Sequence, residues 1–300
     1  MIDIIIIGAG PAGLTSAIYA ARAKKTVKVF EAVTYGGKII NALDIKNYPG
    51  FEEISGYDFA AKLYSQATNL GAEIAFEKVI DIKDLGDTKK VITEDNEYEC
   101  RAVIIATGMQ NKKLKLENED KFLGRGVSYC ATCDGAFFKE KVVSVYGNGK
   151  TAIEDAVFLT DLSSKLYIIN QGDKFLDEVD EELLNKLKSN DKVEFLYNTK
   201  ITSLNGENSL ESITVSCNDE NKDLQVSGLF VALGSVPENS NFSKYVELDN
   251  LGYIISDEVG HTKTPGIYVA GDTRSKEFRQ LTTATSDGTN AALTAIKEMK

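Results

Sequence analysis

The chain has 300 residues, 43% of them hydrophobic, with 45 acidic against 34 basic side chains and a net charge of -11 at pH 7. That length fits two compact domains or one large one with a real core, and the acidic excess, spread along the chain, disfavours nucleic acid as a partner. No stretch approaches the roughly 20 unbroken apolar residues a membrane span needs, so residence in the cytoplasm is expected.

Ile2 to Ile7 is a continuous apolar run, the pattern of a parallel strand buried on both faces. The stretch to Ala23 is apolar enough to resemble a signal peptide, but Asp3 replaces the basic start and Gly8, Gly10, Pro11 and Gly13 interrupt it. It reads instead as a strand ending in the turn Gly8-Ala-Gly10-Pro-Ala12-Gly13, a helix from Leu14 to Ala23 and a strand from Thr26 to Glu31. Glu31 lies 21 residues after Gly10, where a carboxylate can bind a ribose diol while the glycine turn and helix N-terminus receive a pyrophosphate. A helix is predicted over Tyr57 to Leu70, with strands near Glu73 to Ile82, Lys89 to Thr93 and Glu99 to Ile105, the last ending in Ala106-Thr107-Gly108. Lys112, Lys113 and Lys115 form the densest basic cluster, either a patch for an acidic redox partner or a solvated linker.

Cys130-Ala-Thr-Cys133 follows, with Asp134 and Gly135 directly after it. A second strand, Val142 to Tyr146, runs into the fingerprint Gly147-Asn148-Gly149-Lys150-Thr-Ala152, a helix to about Leu162 and a strand over Lys165 to Ile169, so two dinucleotide folds are implied. A helix near Asp180 to Lys188 and strands near Val193 to Tyr197, Ser212 to Cys217, Leu224 to Leu233 and Gly266 to Ala270 come next. Gly271-Asp272 and a closing helix over Thr282 to Met299 end the chain.

Two cysteines separated by two residues close a small disulfide whose reduction takes two electrons, which suits a flavin. Their position between two nucleotide fingerprints reads as a flavin-linked dithiol reductase. Zinc is the rival reading of the pair, but Cys100 and Cys217 are isolated and His261 is the only histidine. Cys100 and Cys217 read as small buried side chains.

The motifs Gly8 to Gly13, Asn47-Tyr-Pro-Gly50, Ala106-Thr-Gly108, Gly126-Val-Ser-Tyr-Cys-Ala-Thr-Cys-Asp-Gly135, Val231-Ala-Leu-Gly234, Ala270-Gly-Asp272 and Arg279-Gln280 resemble the low-molecular-weight bacterial thioredoxin reductase family over nearly the full length. The resemblance implies an α/β fold of two Rossmann-like dinucleotide-binding domains, the second inserted in the first. The FAD domain would be residues 1–111 and 241–300, and residues 112–240 an NAD(P)H-type domain carrying the CxxC. It implies that Gly8, Gly10, Ala12, Gly13, Glu31, Gly37, Asn47, Thr107, Gly108, Gly271, Asp272, Arg279 and Gln280 surround FAD. Cys133 would face the flavin, Cys130 attack thioredoxin, and Asp134 move the proton, against the simpler role of capping a helix. A homodimer is implied as well.

The departures bear on the electron donor. NADPH-using relatives carry a His-Arg-Arg stretch and a further Arg after the strand of the second fingerprint, and these clamp the 2'-phosphate. Here the stretch is Asn170-Gln171-Gly172, then Asp173, Lys174 and Phe175. A group with nearly two negative charges is best recognised by bidentate guanidinium. Lys38 after Gly36-Gly37 is another departure, where relatives have Gln. The missing arginines resemble a subgroup that lacks a working NADPH site and takes electrons from reduced ferredoxin. The expectation is therefore a ferredoxin-dependent flavin thioredoxin reductase. The alternatives are the same reductase using NADH or NADPH, a flavin dithiol oxidase, and a redox sensor without turnover.

Overall fold

The computed structural model describes every residue except 43, 177, 219 and 300. The chain divides into two units, Met1–Gln110 with Val236–Lys300, and Asn111–Ser235.

The first unit opens with β1 (Ile2–Ile7), α1 (Pro11–Arg22), β2 (Val27–Phe30), α2 (Gly56–Asn69), β3 (Glu73–Ala75), β4 (Val79–Asp84), β5 (Lys89–Thr93) and β6 (Glu97–Ile105). The second contains β7 (Val127–Ser128), α3 (Ala131–Asp134), β8 (Val142–Tyr146), α4 (Lys150–Leu162), β9 (Lys165–Ile169), α5 (Glu181–Lys188), β10 (Val193–Leu196), β11 (Thr199–Asn205), β12 (Ser212–Cys217), β13 (Glu220–Gln225) and β14 (Gly228–Val231). The chain then returns to the first unit as β15 (Ile267–Val269) and α6 (Leu281–Glu298).

In the first unit β3, β2, β1 and β6 form a parallel sheet. The long β6 serves two partners on its other edge: its first half pairs antiparallel with β5 and its second half parallel with β15. Alternation along β1 feeds two cores, Ile4 and Ile6 on the face covered by α1 and α6, and Ile5 and Ile7 on the opposite face with Val103, Ile105 and Val246. Each of these fully buried side chains contributes about 1.5–3 kcal/mol relative to exposure. Pro11 occupies the first turn of α1, where its missing N–H costs nothing, so the helix starts inside the glycine turn, earlier than the predicted Leu14. Ser55 caps α2 by accepting the Asp58 N–H at 3.0 Å.

The second unit has a five-stranded parallel sheet in the order β10-β9-β8-β14-β7 and an antiparallel meander of β11, β12 and β13. Val143 and Val145 face α4, whereas Tyr146, Leu229 and Val231 pack toward the meander. Three strand expectations change here. Residues 73–82 split because β3 lies parallel to β2 while β4 folds back antiparallel on β5. Residues 224–233 split because Leu224 closes the meander and Gly228 begins a strand of the other sheet. β11 was not foreseen: its run Thr-Lys-Ile-Thr-Ser-Leu-Asn is polar at every position but two. Among the described residues no helix is long and apolar enough to cross a membrane.

Candidate active site

The first glycine turn is built from close backbone approach. Gly8 has φ +107°, and a Cβ there would sit 2.4 Å from the Ala106 carbonyl oxygen, so only glycine lets the ends of β1 and β6 meet. The approach brings the turn against Thr107. Gly13 carries its own crowding, with a Cβ position 1.9 Å from the Gly8 carbonyl oxygen. Gly37 closes from the other side, its Cβ position 3.3 Å from Gly10 Cα. Gly271 completes the ring, its Cβ position 2.8 Å from Ala12 Cβ. Gly8, Gly10, Ala12, Gly13, Gly37, Thr107 and Gly271 are thus one cluster, with Gly108 following Thr107 at φ +64°.

Glu31, directly after β2, accepts the Ala9 N–H at 2.9 Å through Oε2 and the Val33 N–H at 3.0 Å through Oε1. Its carboxylate is held at the rim of the turn. Asn47 donates to Gln280 Oε1 at 3.5 Å, and Gln280 forms the capping box of α6 with Thr283. Arg279 lies with its guanidinium 3.8 Å from the Tyr253 ring centroid and donates to the Asp272 and Arg274 carbonyls. Its position is set by the turn it braces. Asp272 Oδ1 is buried and lacks a hydrogen-bond partner among the described residues, an orphan that calls for a ligand or a charge. Desolvation holds the Lys38 ammonium below the usual lysine range, with the Asp272 carboxylate opposing it. A glycine cradle at a helix N-terminus, a rim carboxylate and an orphaned aspartate fit a dinucleotide such as FAD.

Sequence reasoning passed over one supporting cluster here. Thr107 Oγ1 lies 3.1 Å from Thr273 Oγ1, which donates to Asn239 Oδ1 at 2.7 Å. Asn239 in turn donates to the Gly252 and Thr273 carbonyls. Only long-range contact shows these residues as a set, since Asn239 lies 132 positions from Thr107.

In the second unit Cys130 and Cys133 form a disulfide, with Cα atoms 5.3 Å apart. Cys130 is half-buried at the N-terminus of the one-turn α3, and the Cys133 N–H points at its Sγ from 3.1 Å. Cys133 is exposed. Asp134 does not cap the following turn; its Oδ2 accepts the Ser128 hydroxyl at 2.6 Å, and Ser128 Oγ also accepts the Cys130 N–H at 3.0 Å. Ser128 therefore ties the carboxylate to the backbone of the redox cysteine. Tyr129 hydrogen-bonds the buried Glu119, and its hydroxyl accepts the Leu114 N–H at 3.2 Å. Burial, reinforced by Glu119, pushes the Tyr129 phenol well above its ordinary value, so it stays a neutral donor. Cys100 is buried, which pushes its thiol up to about 12, and Cys217 is half-buried. Neither belongs to the redox pair. Among the described residues no group of three or more His, Cys, Asp or Glu side chains is arranged to hold a metal ion.

A cavity of about 580 Å³ is lined by Arg125, Phe137, Phe138 and Lys141 of the same unit. Phe137, four residues after Cys133, is 74% exposed.

The second fingerprint keeps its form but not its charge. Asn170, at the end of β9, is 1% exposed, and its amide is spent on its own loop: Nδ2 donates to the Lys174 carbonyl at 3.0 Å and Oδ1 accepts the Gly172 N–H at 2.8 Å. Gln171 donates to the Tyr146 hydroxyl. The Leu176 N–H bonds the Asn148 carbonyl at 2.9 Å, and Leu176 and Glu178 side-chain atoms lie 3.6 and 3.7 Å from the Cβ position of Gly149. Lys150, the next residue of the turn, has its ammonium 3.6 Å from Glu154 Oε1.

The family described as pyridine nucleotide-disulphide oxidoreductase matches residues 2–288. The thioredoxin reductase of Listeria monocytogenes is 39% identical over 300 residues, 98% of this chain and 93% of that protein. The crystal structure of Lactococcus lactis thioredoxin reductase in its FR conformation is similar at TM-score 0.87 and 36% identity, over 100% of this chain and 99% of that one. The ferredoxin-flavin thioredoxin reductase of Clostridium acetobutylicum is similar at TM-score 0.54 and 33% identity, over 99% of this chain and 97% of that one.

Proposed function

Since the chain belongs to the pyridine nucleotide-disulphide oxidoreductase family, in its low-molecular-weight thioredoxin reductase branch, and is an FAD flavoprotein that reduces thioredoxin disulfide, we propose that its electrons come from reduced ferredoxin. The observation that carries this is the neutral, self-satisfied Asn170 loop. Where an adenosine 2'-phosphate would need guanidinium groups, the side chain of Asn170 is consumed by Gly172 and Lys174, and Glu178 adds a negative charge near the phosphate turn. Arg125 is the only arginine of the unit, and it lines the cavity near Phe137 instead.

Bound FAD supplies a two-electron store that can be filled one electron at a time. In the proposed site Gly8, Gly10, Ala12, Gly13 and Gly37 receive its pyrophosphate, Glu31 the adenosine ribose, and Asn47, Thr107, Gly108, Gly271, Asp272, Arg279 and Gln280 its flavin end. Reduction of the Cys130–Cys133 disulfide yields a thiol pair. Cys130 thiolate then attacks a thioredoxin sulfur, forming a mixed disulfide and releasing one thioredoxin thiolate, and Cys133 thiolate displaces the second. Asp134, oriented by the Ser128 hydroxyl, is the group that moves the proton to the leaving thiolate. The balance is two reduced ferredoxins and two protons consumed for each thioredoxin dithiol. The enzyme works as a cytoplasmic homodimer.

The test is an anaerobic titration of the purified flavoprotein with NADPH, NADH and reduced ferredoxin, following the flavin band with and without oxidised thioredoxin. Bleaching by ferredoxin alone, with turnover when thioredoxin is added, is the expected result. Rapid bleaching by NADPH or NADH overturns the donor assignment.

A further inference from the structure

Behind Asp272 lies a buried trio of charges, Arg274, Lys276 and Asp287, that the reductase chemistry leaves unused. Asp287, on α6, is 8% exposed and acts as its hub: Oδ1 accepts Arg274 Nη1 at 2.7 Å, while Oδ2 accepts Lys276 Nζ at 2.9 Å and the Gly271 N–H at 3.2 Å. Lys276 reaches on to Asp272, its Nζ 3.5 Å from the orphaned Oδ1, and also donates to Thr283 Oγ1 at 3.3 Å. The side chains of Arg274, Lys276 and Asp287 are 5%, 11% and 9% exposed, while that of Asp272 is 36% exposed. Arg274 also reaches the exposed Glu258, its Nη2 3.6 Å from Oε1. Buried charges of this kind persist only when paired, and removal of one member leaves an uncompensated partner.

The hub is itself fixed. Gly288, next to Asp287, is pressed on α1 so closely that a Cβ would sit 2.2 Å from the Ala12 carbonyl oxygen, and Ser16 Oγ donates to the Gly288 carbonyl at 2.9 Å. The place of Asp287 is therefore tied to the helix that starts in the first glycine turn. Lys276 is the link that carries this fixed point to Asp272. Oδ1 is the buried oxygen of Asp272, while the side chain as a whole is 36% exposed.

We propose that Lys276 is a positioning residue for FAD: through its ion pair it holds Asp272 with one oxygen presented to the hydroxyl groups of the cofactor. The proposal rests on the reading of Asp272 as an FAD contact. Loss of the lysine charge leaves Asp287 paired with Arg274 alone and removes the ion pair that holds Asp272, whose remaining cation is the desolvated Lys38 ammonium.

The test is FAD release from diluted holoenzyme, followed by the rise of free-flavin fluorescence, for wild type, Lys276→Gln, Lys276→Arg, Asp272→Asn and the Lys276→Gln/Asp272→Asn pair. Each neutral single variant is expected to release FAD about tenfold faster, the size of one lost charge-assisted contact. The pair should be no faster than either single variant, because both remove one interaction, and Lys276→Arg should stay within about twofold of wild type, since it keeps the charge. A lysine that only stabilises the fold would speed release by a factor that multiplies with that of Asp272→Asn, and multiplicative rates overturn the proposal. So does wild-type release from Lys276→Gln. Wild-type release from Asp272→Asn would instead overturn the reading of Asp272, and the proposal with it, while leaving the ferredoxin assignment to its own titration. Should Lys276→Gln not accumulate as folded protein, Lys276→Met, which keeps the packing of the stem, is measured in its place under the same criteria.

Discussion

Asp155→Asn is expected to stabilise the second unit at neutral and alkaline pH and to leave it nearly unchanged in acid. Asp155 lies on α4 between the buried Ala152 and Leu159 and is itself half-buried. Burial first, and the Glu154 carboxylate second, push its carboxyl up from 3.8 to about 7. A raised folded-state pKa on an acid means that folding is penalised where the group must ionise. The penalty is absent below the unfolded value near 4, grows as pH rises, and is complete above about 7. Moving a carboxyl from 3.8 to about 7 corresponds to at most about 4 kcal/mol. The asparagine, which carries no charge, should gain up to that amount at pH 8, about half of it at pH 5.5, and only about 0.5 kcal/mol near pH 4. Denaturant melts of variant and wild type across this range, read by hydrogen exchange in α4, measure the gap. A gap that does not change with pH, or a wild type more stable than the variant at pH 8, would refute the electrostatic reasoning.

Two further outcomes follow from packing and charge. In Gly135→Ala the new methyl would sit 2.9 Å from Phe158 Cε1, 3.1 Å from Leu159 Cδ2 and 3.3 Å from Leu162 Cδ1. Overpacking should cost about 1–2 kcal/mol and slow thioredoxin reduction by shifting the redox turn; unchanged stability and single-turnover rate would show that the three side chains yield freely. His261, held between Asp257 at 2.7 Å and Glu298 at 2.8 Å, has its pKa raised above 6.5, chiefly by the hydrogen bond to Asp257 and then by that to Glu298. Its contribution is full below pH 6.5 and fades as pH rises through the folded-state value. His261→Asn should thus speed amide exchange at the end of α6 at pH 6 more than at pH 9, and equal effects at both would contradict the pairing.

What the sequence made legible was local. The glycine spacing of the first turn and the apolar run of β1 are each contained in a short window, as is the Cys130–Cys133 pair, and their physical meaning does not depend on the rest of the chain. The orientation of Asp134 was not legible, because its partner Ser128 sits six residues upstream on a two-residue strand that no periodicity marks. The trio of Arg274, Lys276 and Asp287 was invisible for a different reason. Arginine, lysine and aspartate in a polar stretch read as solvated surface, and only the closeness of α6 to α1 buries them. Likewise Lys276 and Asn239 were passed over while Arg279 and Gln280 were found, since the latter stand in a motif and the former act through contacts made after folding.

The close contact of α6 with α1, together with the pairing of β15 beside β6, sets an order for synthesis on the ribosome. Domains form as units as the chain emerges, and the second unit has all its strands once Ser235 has left the exit tunnel. The first unit must wait: β1 and the glycine turn precede the second unit in the chain, yet their covering helix, and the Gly271-Asp272 turn beside them, follow it. The earlier half of the first unit therefore stays unfinished while the second unit folds, with the apolar face of β1 and α1 in need of shelter until α6 has emerged. The cofactor cradle is complete only after α6 is made, and a chain cut before Leu281 would keep the redox turn while losing the helix that covers that cradle.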